Sequence, residues 1–242
     1  MTLDVHLFPC RSDNYGFLIR DRATGTVAAV DTPDAARILQ ELDGLGWGRL
    51  DLILNTHWHP DHTEGNERLK AETGCEIVGP QEVARGAPLD RVVGDGDTIA
   101  VGETRFEVTG TPGHTLGHVV YRSVEAGAAF VGDTLFALGC GRLFEGTPEQ
   151  MWASLQTLAA WPPETVIWCA HEYTAANARF TLSLDPRPET AAHAEAIFEA
   201  RARGEATVPT TLETELRFNP FLRAGDAEQF AARRAAKDGF SG

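Results

Sequence analysis

The chain has 242 residues and a formal net charge of −14, so it can form one large domain, or one domain with a small appendage. The charge argues against nucleic acids and anionic membranes as partners. Its four cysteines form no C-x-x-C pair, which argues against a disulfide framework or a structural zinc knuckle. Because the N-terminus carries Asp4 and no long apolar stretch, we expect a cytoplasmic protein with reduced thiols, without signal peptide or membrane span.

The first part of the chain alternates strand-like and helical runs. Strands are predicted at 5–8, 15–19 and 26–30. A helix over 33–42 follows, with apolar residues on one face and Gly44 beyond its end. A buried strand over 50–55 leads into a histidine-rich segment, and a helix over 64–72 ends before Gly74.

The rest of the chain changes character near residue 174. Further strands are predicted at 77–78, 98–101, 105–109, 118–122, 129–131 and 166–168. A helix over 147–160 has Thr147 as its N-cap and Pro148 at its first position. Beyond 174, an Ala-, Glu- and Arg-rich composition predicts helices at 174–182, 189–203 and 227–236. We therefore predict a mixed α/β domain over residues 1–173 and a small helical domain over 174–242.

The segment after the strand over 50–55 carries the strongest chemical signal. It contains His57, His59, Asp61 and His62, and the first two point to the same side of an extended chain. Sites of open α/β sheets usually lie where strands end. Imidazole and carboxylate together suit zinc, iron or manganese, and four such groups exceed what one catalytic metal usually takes. The segment therefore predicts half of a two-metal site, with a histidine-rich surface loop as the alternative.

Three more metal-type residues each follow a strand-like run: His114, Asp133 and His171. Alone, each has an ordinary explanation, as a surface, turn or core residue. Taken together, the ligands divide into His57, His59 and His114 for one metal, Asp61, His62 and His171 for the other, and Asp133 as a bridge. Two such cations would lower the pKa of a shared water and give a hydroxide nucleophile. His118 is the leftover histidine: it could support a metal ligand or pack as an ordinary side chain, and we expect packing.

The run from His57 to His62, followed by His114, Asp133 and His171, resembles the metallo-β-lactamase superfamily. That resemblance implies an α/β fold, an αββα sandwich with the metals at one edge of two packed sheets. More specific blocks resemble the glyoxalase II (hydroxyacylglutathione hydrolase) family, and they lie at residues 111–115, 132–136, 139–147, 171–174 and 219–223. A helical C-terminal segment is also a feature of that family.

The resemblance implies hydrolysis of S-D-lactoylglutathione to glutathione and D-lactate, and thus a role in methylglyoxal detoxification. A metal-bridging hydroxide would attack the thioester carbonyl, and Asp61 and Asp133 are the predicted catalytic residues. The thiolate is a good leaving group, so little general-acid help is required. The expected cofactors are two divalent metal ions per chain, zinc first, with iron or manganese as alternatives.

Glutathione carries two carboxylates, so an acidic protein must bind it with local cations. The resemblance places substrate contacts at Arg142, Tyr173, Arg234 and Lys237. For the last two, a solvated helix face is the alternative. Some family members have a tyrosine where this chain has Phe144, which implies weaker affinity or a different thiol carrier.

Two other functions stay open at this point. A mononuclear iron oxygenase acting on glutathione persulfide shares the fold and many ligands, and a single bound iron would favour it. A non-enzymatic metal-binding or regulatory module is disfavoured because no ligand is missing. The expected partner is a small-molecule glutathione thioester, and the protein is expected to be a monomer or a weak homo-oligomer.

Overall fold

The computed structural model describes residues 2–241. It contains two compact units: the chain up to Gly110 with Gly117–Gly132, and Thr111–Leu116 with the chain from Asp133 onward. The strands are β1 (Leu3–Cys10), β2 (Asn14–Asp21), β3 (Val27–Val30), β4 (Leu52–Leu54), β5 (Glu76–Gly79), β6 (Arg91–Val92), β7 (Thr98–Val101), β8 (Thr104–Gly110), β9 (Val119–Ser123), β10 (Ala128–Gly132), β11 (Leu135–Phe136), β12 (Gly139–Cys140), β13 (Val166–Cys169) and β14 (Thr210–Thr211). The helices are α1 (Ala35–Leu45), α2 (Pro60–Thr63), α3 (Asn66–Thr73), α4 (Pro148–Ala159), α5 (Thr174–Leu184), α6 (Pro188–Ala202), α7 (Leu212–Phe218) and α8 (Ala227–Asp238).

The first unit contains a mixed sheet with strands in the order β1-β2-β3-β4-β5-β6. The pairs from β1 to β3 are antiparallel, and those from β3 to β6 are parallel. In register, Val30 lies opposite Leu54, and Leu54 lies opposite Val78. The carboxyl ends of three parallel strands therefore meet at one edge, and the residues that follow them become neighbours.

The core of the first unit lies on both faces of this sheet. On one face, Leu18 and Ile53 pack with Ile38 of α1 and Leu69 of α3 in one apolar cluster. On the other face, Phe17 meets Phe130 edge to face, with ring centroids 5.6 Å apart. Phe130 belongs to β10, which pairs antiparallel with β9, as β9 does with β8 and β8 with β7. Because strands β3 and β4 are covered on both sides, they are apolar without alternation.

The second unit is mostly helical. It holds the β11–β12 hairpin and the antiparallel β13–β14 pair. Helix α4 begins with a capping box between Thr147 and Gln150. Leu138, Ala178 and Phe218 belong to an apolar core that α5, α6 and α7 share. Among residues 2–241, no helix combines the length and the apolarity that a membrane crossing requires.

The structure corrects several predicted boundaries. The first helix runs over Ala35–Leu45 because the Asp34 side chain accepts the N–H of Arg37; Gly44 lies inside it, and the left-handed cap is Gly46. The helix predicted over 64–72 is α3, which begins two residues later, and its end at Gly74 is confirmed; the single turn of α2 precedes it. The other predicted strands and helices are confirmed to within a few residues, but α7 and the short strands β6, β11, β12 and β14 were missed.

Candidate active site

In the first unit, the histidine-rich segment folds into a compact cluster after β4. Nε2 of His57 lies 3.0 Å from Nδ1 of His59, and the rings of His57 and His62 are 4.0 Å apart between centroids. Nε2 of His62 lies 3.5 Å from Oδ2 of Asp61. Two imidazole nitrogens this close repel through their lone pairs unless a proton or a cation lies between them. Four residues of the predicted ligand set are thus brought together in this unit.

Asp31, directly after β3, orients two of these histidines. Its carboxylate accepts the backbone N–H and the hydroxyl of Thr56, each at 2.8 Å, and Nδ1–H of His62 at 2.8 Å. Because the Thr56 hydroxyl donates to Asp31, its oxygen accepts Nδ1–H of His57 at 3.0 Å. Both rings therefore carry the proton on Nδ1 and leave the Nε2 lone pair for a metal.

Asp61 and His118, in the same cluster of the first unit, also have defined partners. Asn14 donates its side-chain N–H to Oδ2 of Asp61 at 3.1 Å, which orients the one carboxylate of the segment. His118 is buried, and its ring stacks on that of His57 with centroids 4.8 Å apart. The packing role expected for His118 stays a prediction.

In the second unit, Asp133 lies between two histidines. Its Oδ2 is 3.3 Å from Nε2 of His114, and its Oδ1 is 3.3 Å from Nε2 of His171. In a tetrahedral zinc site with bonds of about 2.0–2.1 Å, neighbouring ligand atoms lie roughly 3.3–3.4 Å apart. One carboxylate that offers each oxygen to a different imidazole at this spacing fits a ligand shared by two cations. All three side chains are buried.

The ring of His114 has a defined orientation. Its Nδ1 lies 2.9 Å from the carbonyl oxygen of Arg142, and since a carbonyl only accepts, Nδ1 carries the proton and Nε2 keeps its lone pair. The glycines nearby allow close approach of the backbone. A Cβ on Gly141 would lie 2.0 Å from the carbonyl oxygen of Asp133, and one on Gly113 would lie 2.7 Å from Cβ of Met151.

A cavity of about 480 Å³ lies in the second unit beside His114 and Asp133. Its other lining residues are Phe136, Cys140, Arg142, Phe144, Tyr173, Ala176, Asn177, Arg234, Lys237, Asp238 and Phe240. The four predicted substrate-binding residues thus line one space. At this size the cavity accommodates a small molecule.

The three cations of the cavity differ in how far their own protein contacts occupy them. Arg234 is buried, and its terminal nitrogens donate to the carbonyl of Cys140 at 2.9 Å and to Asp238 at 2.8 Å. Arg142 is exposed, with Nε 3.7 Å from Asp238. Lys237 donates to the carbonyl of Ala176 at 2.9 Å. Arg234 thus braces the cavity wall, whereas Arg142 and Lys237 retain donors for a ligand.

Burial affects the lysine strongly. Partial burial, reinforced by the nearby positive charges of Arg234, Arg142 and Arg179, lowers the pKa of Lys237 to about 8. Its charge therefore depends on pH close to neutrality, and an anionic ligand would favour the charged form.

Aromatic rings form the remaining wall of the cavity. The Tyr173 ring stacks on His171 with centroids 4.8 Å apart and an interplanar angle of 2°. Phe136 meets both rings edge-on. Phe144 is 63% exposed and lies edge-on to His114. Phe144 thus lies at the cavity beside a predicted ligand.

Asp31, Thr56 and Asn14 were not predicted as site residues. Asp31 and Thr56 could have been, because each follows the end of a strand, as the predicted ligands do. The positive φ of Asp31, 56°, had no local sequence signal apart from the tolerance of Asp for that region.

Comparison with known proteins identifies the chain's relatives. A model of the metallo-β-lactamase superfamily matches residues 17–171, and a model of the hydroxyacylglutathione hydrolase C-terminus matches residues 172–240. The hydroxyacylglutathione hydrolase of Erythrobacter litoralis is 51% identical, covering 98% of this chain and 100% of that protein. The one from Maricaulis maris is also 51% identical, with 98% of both chains covered.

Among solved structures, ETHE1 from Myxococcus xanthus matches with a TM-score of 0.74 at 26% identity, covering 97% of this chain and 90% of that one. The predicted fold is confirmed: mixed sheets flanked by helices, followed by a helical C-terminal domain. The donor set is that of a divalent-metal site, as the superfamily leads one to expect. The chain belongs to the metallo-β-lactamase superfamily and, within it, to the hydroxyacylglutathione hydrolase family.

Proposed function

We propose that this protein hydrolyses S-D-lactoylglutathione, and related glutathione thioesters, to glutathione and the free hydroxy acid, in the detoxification of methylglyoxal. One observation carries the proposal: the metal-type ligands His114 and Asp133 line the same cavity of the second unit as the cationic side chains of Arg142 and Lys237. The curated relatives named hydroxyacylglutathione hydrolase support it over nearly the whole chain.

Seven residues are proposed to hold two divalent metal ions, zinc in the first instance, with iron or manganese as alternatives. They are His57, His59, Asp61, His62, His114, Asp133 and His171. The Nδ1 protonation of His57, His62 and His114 fits this role because it leaves Nε2 as a donor. When bound, such ions lower the pKa of a water and polarise a carbonyl oxygen.

The protein's own residues bind and orient the substrate. Arg142 and Lys237 are proposed to bind the glutathione carboxylates, which offsets the repulsion expected from a net charge of −14. The Tyr173 hydroxyl is proposed to hydrogen-bond to the glutathione backbone. Arg234 is proposed to act at the same subsite, chiefly by holding the wall formed by Cys140.

Two carboxylates are proposed as catalytic. Asp133 offers one oxygen to each of two imidazoles, which suits a bridging role. Asp61, oriented by Asn14, is proposed to orient the attacking oxygen. The departing group is a thiolate, so the site requires no dedicated general acid.

The setting of the reaction is also a proposal. The thiols of Cys10, Cys75, Cys140 and Cys169 are all free and buried, which fits a reducing compartment such as the cytoplasm. We further propose that the protein is a monomer or a weak homo-oligomer and that its partner is a small molecule.

Hydrolysis of S-D-lactoylglutathione, followed by loss of thioester absorbance with metal content measured on the same sample, tests the proposal. We expect turnover at about two metals per chain, and loss of at least about 10²-fold in kcat for Asp133→Ala. Asp43→Ala, at an exposed position of α1, is the matched control and should keep full activity.

Three outcomes contradict all or part of the proposal. No turnover with two metals bound would indicate that the substrate is another thioester, and Phe144 would be the first residue to substitute. No turnover with a single iron would favour the persulfide oxygenase. Full activity of Asp133→Ala would show that this carboxylate is not a required bridge between the metals.

A further inference from the structure

The hairpin formed by β11 and β12, residues 135–140, has a turn that its own sequence disfavours. Its central residues are Ala137 and Leu138, and Leu138 has a φ of 56°. A leucine in this left-handed region costs roughly 1–2 kcal/mol, and hairpin turns normally place Gly, Asn or Asp there. The whole hairpin is buried, so its turn needs protein partners for its backbone polar groups.

Two buried side chains of the α7 region supply most of these partners. Asn219 donates its side-chain N–H groups to the carbonyls of Phe136 at 3.2 Å and Gly139 at 2.9 Å. Glu215 accepts the N–H of Leu138 at 2.8 Å. Nδ2 of Asn219 also lies 2.9 Å from Oε2 of Glu215, so its two N–H groups are shared among three acceptors.

Glu215 and Asn219 form a clamp on the turn, and two further side chains contribute hydrogen bonds to it. Asn177 of α5 donates to the carbonyl of Ala137 at 3.0 Å, and the hydroxyl of Thr210 donates to the second oxygen of Glu215 at 2.8 Å. Asn177, Glu215 and Asn219 are each at most 5% exposed. These side chains of the C-terminal segment therefore stabilise the strained turn, which its own sequence does not favour.

The hairpin carries residues of the candidate site. Phe136 meets the rings of His171 and Tyr173 edge-on, at 5.8 and 5.4 Å between centroids. Directly after β12, the backbone passes Gly141, and the carbonyl of Arg142 then accepts Nδ1–H of His114 at 2.9 Å. A displacement of the hairpin would move the acceptor that sets the tautomer and orientation of the His114 ring.

We propose that Glu215 and Asn219 are positioning residues, which act through residues 135–140 to fix the ring of His114. The expected effect of these residues on catalysis rests on the proposed function. The orientation of His114 is a property of the folded chain, and it is testable without metal or substrate.

The alternative is a merely structural clamp, which stabilises the fold without acting on the site. Four full-length variants separate the two. Glu215→Ala and Asn219→Ala remove the clamp in different ways, so the second keeps the test open should the first not fold. Glu215→Gln keeps an acceptor for Leu138 and is the conservative rescue. Glu213→Ala is the matched control, since Glu213 is exposed on the same helix.

The first readout is the Nδ1–H resonance of His114 in metal-free protein labelled with ¹⁵N-histidine. We expect it in the wild type, Glu215→Gln and Glu213→Ala, and expect its loss in the two clamp variants. The second readout is zinc affinity by chelator competition, which should fall about 10–100-fold in the clamp variants only. With lactoylglutathione, kcat should fall about tenfold while KM stays within about threefold.

Folded clamp variants with a lower melting temperature but an unchanged His114 resonance and zinc affinity would overturn the proposal. A failure of Glu215→Gln to restore the resonance would also overturn it. A wild type that shows the resonance yet hydrolyses no glutathione thioester would contradict the proposed function alone, and the resonance of the variants would still decide this inference.

Discussion

Oδ2 of Asp31 accepts a hydrogen bond from Nδ1 of His62 at 2.8 Å, so the residue directly after one parallel strand orients a ligand-type histidine that follows the next strand. The same carboxylate fixes His57 through Thr56. Asp31 is thus the common support of two imidazoles, and its role depends on the in-register pairing of β3 and β4.

Asp31→Asn should lower metal affinity about 10–100-fold. The amide nitrogen would present a donor where the carboxylate accepts from Thr56 or His62, which opposes the tautomer that leaves Nε2 free. Chelator competition with zinc on the purified protein measures the change. Asp43→Asn is the control, and equal affinities for the two variants would contradict this role.

Arg142→Ala should raise KM for S-D-lactoylglutathione about tenfold and leave kcat within about threefold, because it removes binding that substrate and transition state share. Arg203→Ala removes a cation that pairs with Glu205 at the surface and should change neither value. A fall in kcat without a change in KM would show that Arg142 acts on the chemical step.

KM should rise as the pH increases through about 8, the pKa of Lys237. Below this pH the ammonium is charged and attracts a carboxylate; above it the free protein loses the charge. Lys237→Arg, which stays charged at any working pH, should have a flat KM over pH 7–9. A variant profile identical to that of the wild type would exclude Lys237 as the titrating group.

Phe144→Tyr should lower KM for glutathione thioesters about threefold, since one added hydrogen bond is worth roughly 0.5–1.5 kcal/mol. The exposed ring leaves room for a hydroxyl. A thioester of N-acetylcysteamine, which lacks the glutathione peptide, serves as the control substrate. An equal gain for both substrates would mean that the hydroxyl does not contact glutathione.

Burial raises the pKa of Glu215 to about 7 from an ordinary value of 4.5. Between these values the folded state holds a proton that the unfolded state has released, so stability falls as the pH rises from about 5 to 7 and then levels off. The fall should be on the order of 3 kcal/mol. Urea unfolding at each pH measures it, and Glu215→Gln should remove the slope; a slope that persists would assign it to another group.

The ligand-bearing segments and most elements were predictable from short windows of sequence. The run from His57 to His62, the N-cap at Thr147 and most strands of the first sheet depend on local spacing and propensity. The single turn of α2 and the two-residue strands were not predictable from the sequence, because a hydrogen-bonded stretch this short is too brief to show a periodic pattern.

The sequence by itself therefore determined the superfamily, the candidate ligands and the order of the main elements. The tertiary structure decided that Asp31 supports His57 and His62, that Arg234 is buried against Cys140, and that Glu215 and Asn219 hold the turn at Leu138. The reason is physical: local patterns act between residues a few positions apart, whereas these contacts join residues 25 to 94 positions apart, which only the packing of remote elements brings together.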